Sequence, residues 1–255
     1  MKTTSIYQKE EDLFDELRKS YPKNISDTIV DDGLCWADIS SAVPVKEKQF
    51  WPENLWEDAS RKILFLLKEP NGNGGEDYKD WNWCRYHEVF GNVLAYWLEG
   101  IHSTTKQYCP NHYDISRNIT RAEIFKKYPF AIVNVKKIAG DNIADWNEIW
   151  EHAFKNKEFL KKQIRDILKP NIIICGGSND SDIEFKKMIS IAKEIIFDDQ
   201  KEKFKKINNW CHYNPEIDVL LIDSYHPAMP SSYLNKVDNL LVNFQQFILN
   251  TGYSK

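Results

Sequence analysis

The sequence predicts an α/β fold: a three-layer α/β/α sandwich around a mainly parallel central sheet of about four strands. Four short apolar runs predict it, namely Ile63 to Leu67, Phe130 to Val135, Ile172 to Cys175 and Val219 to Ile222. They are continuous rather than alternating, as expected of strands covered on both faces. Stretches with helical spacing separate them, which goes with parallel pairing and crossover helices. Each run also ends in a polar or glycine-rich loop, the place where open α/β sheets collect ligands.

Residues 8–20 read as an amphipathic helix with Leu13, Phe14 and Leu17 on one face. Residues 21–50 are irregular, with polar turns and Pro44, so that 1–50 forms a helical and irregular extension packed on the domain. Residues 55–62 lead into the first strand, and Asn71 to Gly75 is a loop by composition. A helix is expected at about 87–99, with Val89, Phe90, Val93, Leu94 and Trp97 along a face, followed by irregular chain over 100–118. Helices at about 144–154 and 157–168 lead to the third strand, which Gly176-Gly177 closes. Residues 181–193 read as helix, Ile195 to Phe197 as a short strand, and about 233–249 as the last helix. No repeat, low-complexity tract or linker divides the chain, so 1–255 reads as one domain.

Composition narrows the function. A hydrophobic content of 42% supports a sizeable core and argues against a disordered chain. The net charge of -4 means that phosphate binding requires a local basic face. Lysines occur in pairs; most read as solvated helix faces, but Lys136-Lys137 follows an apolar strand and is placed to enter a strand-end cleft. The nine tryptophans are core and rim packing or, for a few, stacking platforms in a cleft. The five cysteines form no CxxC pair, which argues against a disulfide framework or zinc ribbon and fits a reducing compartment. No signal-peptide core and no run of membrane-span length is present, which reads as a cytoplasmic chain with no membrane partner; a monomer without metal or cofactor is the accompanying expectation.

In order, the strand ends carry Lys68-Glu69-Pro70-Asn71-Gly72, Asn134 with Lys136-Lys137, Gly176-Gly177-Ser178-Asn179, and Asp223-Ser224-Tyr225-His226-Pro227. This series resembles the uracil-DNA glycosylase superfamily. ILFLLKEPNG, Ile63 to Gly72, is similar to its opening strand and motif, and IVNVKK, Ile132 to Lys137, to a later strand. NIIICGG, Asn171 to Gly177, is similar to its glycine-closed strand, and His226-Pro227-Ala228 to its closing H-P-S motif. The four matches keep the family order and span residues 63 to 228. Glu69 stands where many members carry Asp or Asn, Ala228 replaces the usual Ser, and the cysteines of the cluster-bearing branch are missing. An iron–sulfur cluster is therefore not expected, and a modified base other than uracil fits as well as uracil.

The resemblance implies a DNA partner, single- or double-stranded, with a flipped uracil or other modified base whose N-glycosidic bond is cut. Such cleavage gives the sugar oxocarbenium character and the leaving base negative charge. Glu69 then positions water and stabilises the cation, or else it is a structural group that caps a helix or pairs with Lys68 or Lys136. His226 is the donor to the leaving base, or a turn residue. Asn134 reads the base edge with a bidentate amide, or makes a structural bond to a loop, because a buried Asn must be hydrogen-bonded. Tyr86, near Trp81 and Trp83, is the stacking partner for the extruded base. Lys68, Pro70, Asn71, Lys136 and Pro227 complete the substrate-binding set, with Gly176, Gly177 and Ser178 offering backbone N–H groups to a phosphate or forming a plain strand-to-helix turn.

Two rivals come from other classes. Gly177-Ser178-Asn179-Asp180 and Asp223-x-x-His226 are similar to blocks of SGNH-type hydrolases, but the first strand carries no serine nucleophile. The second is a catalytically inactive nucleic-acid or nucleotide-binding domain of the same fold, which the acidic charge and altered motifs favour.

Overall fold

The computed structural model describes residues 5–35, 51–70, 88–140, 144–177 and 187–255. A seven-stranded mixed sheet runs through the molecule in the order β1-β3-β2-β4-β7-β6-β5. In chain order the strands are β1 (Gly33–Cys35), β2 (Ile63–Leu67), β3 (Phe130–Asn134), β4 (Ile172–Gly177), β5 (Lys205–Lys206), β6 (Cys211–Asn214) and β7 (Val219–Tyr225). The sheet thus has seven strands, not about four. The four apolar runs are its parallel centre, β3-β2-β4-β7, and β1, β6 and β5 are short antiparallel additions at its margins.

Ten helices are described. They are α1 (Ile6–Lys19), α2 (Lys23–Ser26), α3 (Trp51–Asp58), α4 (Glu88–Ser103), α5 (His112–Asn118), α6 (Arg121–Lys127), α7 (Trp146–Lys155), α8 (Lys157–Lys161), α9 (Met188–Ile191) and α10 (Asn239–Thr251). Helix α8 runs on into a π-helical stretch, Lys162–Leu168, and α9 into another, Ala192–Ile196. The second of these overturns the short strand expected at Ile195 to Phe197: that apolar triplet is a buried helix face, which a short run cannot distinguish from a strand. A third such stretch, Leu234–Asp238, leads into α10. The segments expected to be irregular contain α2 and β1 in one case and the end of α4 with α5 in the other. Helices α5 and α6 each start on a reciprocal capping box, Asn111 with Asp114 and Thr120 with Glu123.

The sheet separates two cores. Leu64, Leu66, Ala131, Val133, Ile173 and Leu221 face one side, with side chains of α1, α3, α7, α8 and α9. Ile63, Phe65, Phe130, Ile132, Ile174 and Ile222 face the other, with those of α4, α5, α6 and α10. The chain leaves β2 through the helices of the second face and leaves β3 through those of the first. Helix α9, which follows β4, packs on the first face, so the neighbouring strands β2 and β4 send the chain to opposite faces, and the place beyond their carboxyl ends is the switch point, where such sheets have their ligand-binding crevice. Among the described residues no helix is long and apolar enough to cross a membrane.

Candidate functional site

Pairing continues past the strand ends and fixes the loops around the crevice. Val135 N–H donates to Leu67 O at 2.9 Å, Lys136 N–H to Lys68 O at 2.9 Å and Gly140 N–H to Pro70 O at 3.0 Å. On the other side of β2, His226 N–H donates to Gly177 O at 3.1 Å. Gly176 lies under Leu67 and Pro227: a Cβ there would come within 2.7 Å of Leu67 Cδ2 and 3.4 Å of Pro227 Cδ. Gly176 and Gly177 are paired within β4, opposite Ser224 and Tyr225, so close packing accounts for both glycines. The expected residues Lys68, Glu69, Pro70, Asn134, Lys136, Gly176, Gly177, His226 and Pro227 all belong to adjoining strand ends. Asn71, Tyr86 and Ser178, with Trp81 and Trp83, lie outside the described residues.

Glu69 is buried against Gly140, where a Cβ would overlap its carboxylate. Its Oε2 lies 3.0 Å from Lys136 Nζ, an ion pair without hydrogen-bond alignment. Lys136 also donates to Glu148 Oε2 at 2.8 Å. Burial alone would lower the Lys136 ammonium; the hydrogen bond to Glu148 and the paired Glu69 carboxylate outweigh that and hold it above the ordinary lysine value. Lys68 places its Nζ 5.2 Å from the centre of the Trp146 ring, and burial pulls it below the ordinary value against the opposing pull of Glu69.

His226 sits at the end of β7 with its ring 6.0 Å from that of Phe90. Its Nδ1 accepts the Ala228 N–H at 3.2 Å, so the neutral ring carries its proton on Nε2. Burial, reinforced by the nearby Lys68 and Lys236 ammoniums, lowers the imidazole to about 4. At neutral pH His226 is therefore an uncharged donor of fixed tautomer.

Asn134 is fully buried and already engaged. Its backbone N–H and its Nδ2 both donate to Asp32 Oδ2, at 2.7 and 3.3 Å. A carboxylate only accepts, so the amide nitrogen faces Asp32 and Oδ1 points elsewhere, with no partner among the described residues. A bidentate amide is thus not on offer: Nδ2 is held by Asp32, and Oδ1 is sealed from solvent. Lys137 does not enter the cleft: its Nζ is buried on Asp32 Oδ1 at 2.6 Å and Gln163 Oε1 at 3.0 Å, between the rings of Phe14 and Phe159.

Sequence reasoning missed Asp32, Glu148, Trp146, Phe90 and Lys236. The Asp31-Asp32 pair ahead of Gly33 was the one local signal. Gly33, at φ +136°, carries no Cβ where the Glu10 carboxylate sits, and Glu10 in turn accepts from Gln163 in the Asp32 network. Among the described residues no cluster of His, Cys, Asp and Glu has the makings of a metal site. Compared with family models, with curated proteins and with solved structures, the chain matches none, and the crevice is read from its own geometry.

Proposed function

We propose that the crevice takes a nucleic-acid strand with one uracil or other modified base turned out of the stack and hydrolyses its N-glycosidic bond. The observation that carries this reading is the neutral, tautomer-fixed His226, with Nε2–H as its donor, across the β2 end from the buried Glu69 carboxylate. In the reaction the C1′–N bond breaks with its electron pair going to the base, water adds to C1′, and the proton that it gives up ends on the departing base. Glu69 stabilises the cationic sugar and orients the water; Nε2–H meets the charge that develops on the base. An uncharged donor suits that task because it strengthens its bond as the anion forms. Asn134, sealed and bonded to Asp32, holds the β3 end in place rather than meeting the base, and Phe90 is the described ring nearest His226. The order of the four strand-end motifs supports a uracil-DNA glycosylase-like fold.

A second reading is binding without cleavage. Lys136, which holds Glu69 and Glu148 together, favours it by keeping the carboxylate in an ion pair. Alkali-dependent strand scission on single- and double-stranded substrates carrying a panel of modified bases separates the two. Glu69→Gln and His226→Ala should lower base release by about 10²-fold or more with folding retained. Retained binding with no release from any base leaves the second reading.

A further inference from the structure

A cavity of about 740 Å³ lies at the opposite end of the sheet from the crevice, within the size range of small-molecule sites. Lys62, Asn171 and Val219, at the amino ends of β2, β4 and β7, line it. At about 3.3 Å per strand residue, it is on the order of 20 Å from Glu69. The three entering loops, 59–62, 169–171 and 215–218, all belong to the described residues. Hydrogen bonds fix their framework. Asn171 Oδ1 accepts the Lys62 N–H at 2.8 Å, and its Nδ2 donates to Ser60 O at 2.6 Å. The N–H groups of Asn171 and Ile172 donate back to Lys62 O, at 3.2 and 3.1 Å, and Leu220 N–H donates to Asn171 O at 2.9 Å.

The lining is apolar on one side and basic on the other. Ile164, Phe197 and Val219 supply buried apolar surface, and the partly exposed Ile217 extends it. The charged lining side chains are four cations and two carboxylates, in a chain whose net charge is -4. Two of the cations are matched within the protein: Arg165 by Asp199, at 2.6 and 3.1 Å, and Lys255 by Asp218. The Lys62 and Lys169 side chains make no hydrogen bond or ion pair among the described residues, so a ligand need displace no described partner to reach them. Lys169 also holds a left-handed backbone, φ +50°, directly before Pro170, a combination that is sterically costly for a lysine.

We propose that this cavity binds a small organic anion, with its apolar body on Ile164, Phe197 and Val219 and its acid group met by Lys62 and Lys169. The volume exceeds what an inorganic ion fills, and the apolar side gives such an ion nothing to rest on. A cationic ligand would meet the wrong excess of charge. The site goes beyond the glycosidic reading and shares no residue with it.

The test uses the full chain with octanoate, octylammonium and octanol, each below its aggregation concentration and at constant ionic strength. Binding is followed by thermal unfolding and by methyl resonances of Ile164, Ile217 and Val219. Octanoate should give a saturable rise in Tm and shift those methyls, and octylammonium should do neither. Lys169→Gly should weaken octanoate about five- to tenfold. Without ligand it should unfold at the wild-type temperature or above, because glycine accepts the left-handed backbone. Lys62→Met should weaken octanoate in the same direction and serves should Lys169→Gly not fold. The inference is overturned if octanoate gives no saturable response or shifts methyls elsewhere instead. Binding of octanol or octylammonium as tight as that of octanoate, or unchanged affinity in the folded variants, overturns it equally. Base release is not read, so the anion site and the glycosidic reading stand or fall separately.

Discussion

Asp32 Oδ2 accepts two N–H groups of Asn134, and Asp32 Oδ1 accepts Lys137 Nζ. One carboxylate thus holds both the β3 end and the buried cation behind it. Burial pulls the Lys137 ammonium down, and Asp32 opposes the fall. Asp32→Ala should cost about 3–5 kcal/mol, because it leaves Lys137 as an uncompensated buried charge. Urea unfolding checks this; a loss below about 1 kcal/mol would show that the pair is solvated.

Gly140→Ala addresses Glu69 without touching it. The new Cβ would overlap the carboxylate and drive it away from Lys136. Base release should fall by about 10²-fold, as expected when a reacting group is misplaced, while circular dichroism remains that of the folded chain. An unaltered rate in this variant would mean that Glu69 does not react from its observed position.

Acid should weaken the fold through its histidines. The His226 and His212 imidazoles are lowered to about 4 and that of His102 to about 3, each first by burial and then by neighbouring cations. The unfolded chain takes up protons near pH 6.5 and the folded chain does not, so stability is fully present above about 6.5 and declines as pH falls toward 4. His226 alone accounts for about 3 kcal/mol of that slope. His226→Gln should flatten it in urea titrations across this window; the same slope in the variant would exclude His226 as its source.

Leu67 and Gly176 are coupled by close approach. Gly176→Ala should cost about 1–3 kcal/mol through overpacking, and Leu67→Ala about 2–5 kcal/mol through the cavity it leaves. The double variant should cost less than the sum, with a coupling of about 0.5–3 kcal/mol. Strict additivity in a double-mutant cycle would mean that the two side chains do not share that space.

The parallel centre of the sheet was legible because strands covered on both faces leave unbroken apolar runs, such as Ile63 to Leu67. The margins were not, for the same reason. Lys205–Lys206 and Cys211–Asn214 expose one face or both and leave no run to read. Ile195 to Phe197 looked like a strand because three apolar residues cannot show a period. At the site, the strand-end residues followed from the topology rule, but their partners did not. Asp32 lies 102 residues from Asn134 and Lys236 sits beyond the last strand, and no local pattern encodes either meeting.

The outermost strand, β5, has just two residues, both lysines and both exposed. Among the described residues no strand pairs with its outer side, and such an edge can template a neighbouring molecule's strand. A second copy approaching along that margin would bring its own lysine pair against this one, and the ladder is too short to offset the repulsion. Sheet-to-sheet polymerisation is disfavoured there by charge and brevity alone, with no covering element required.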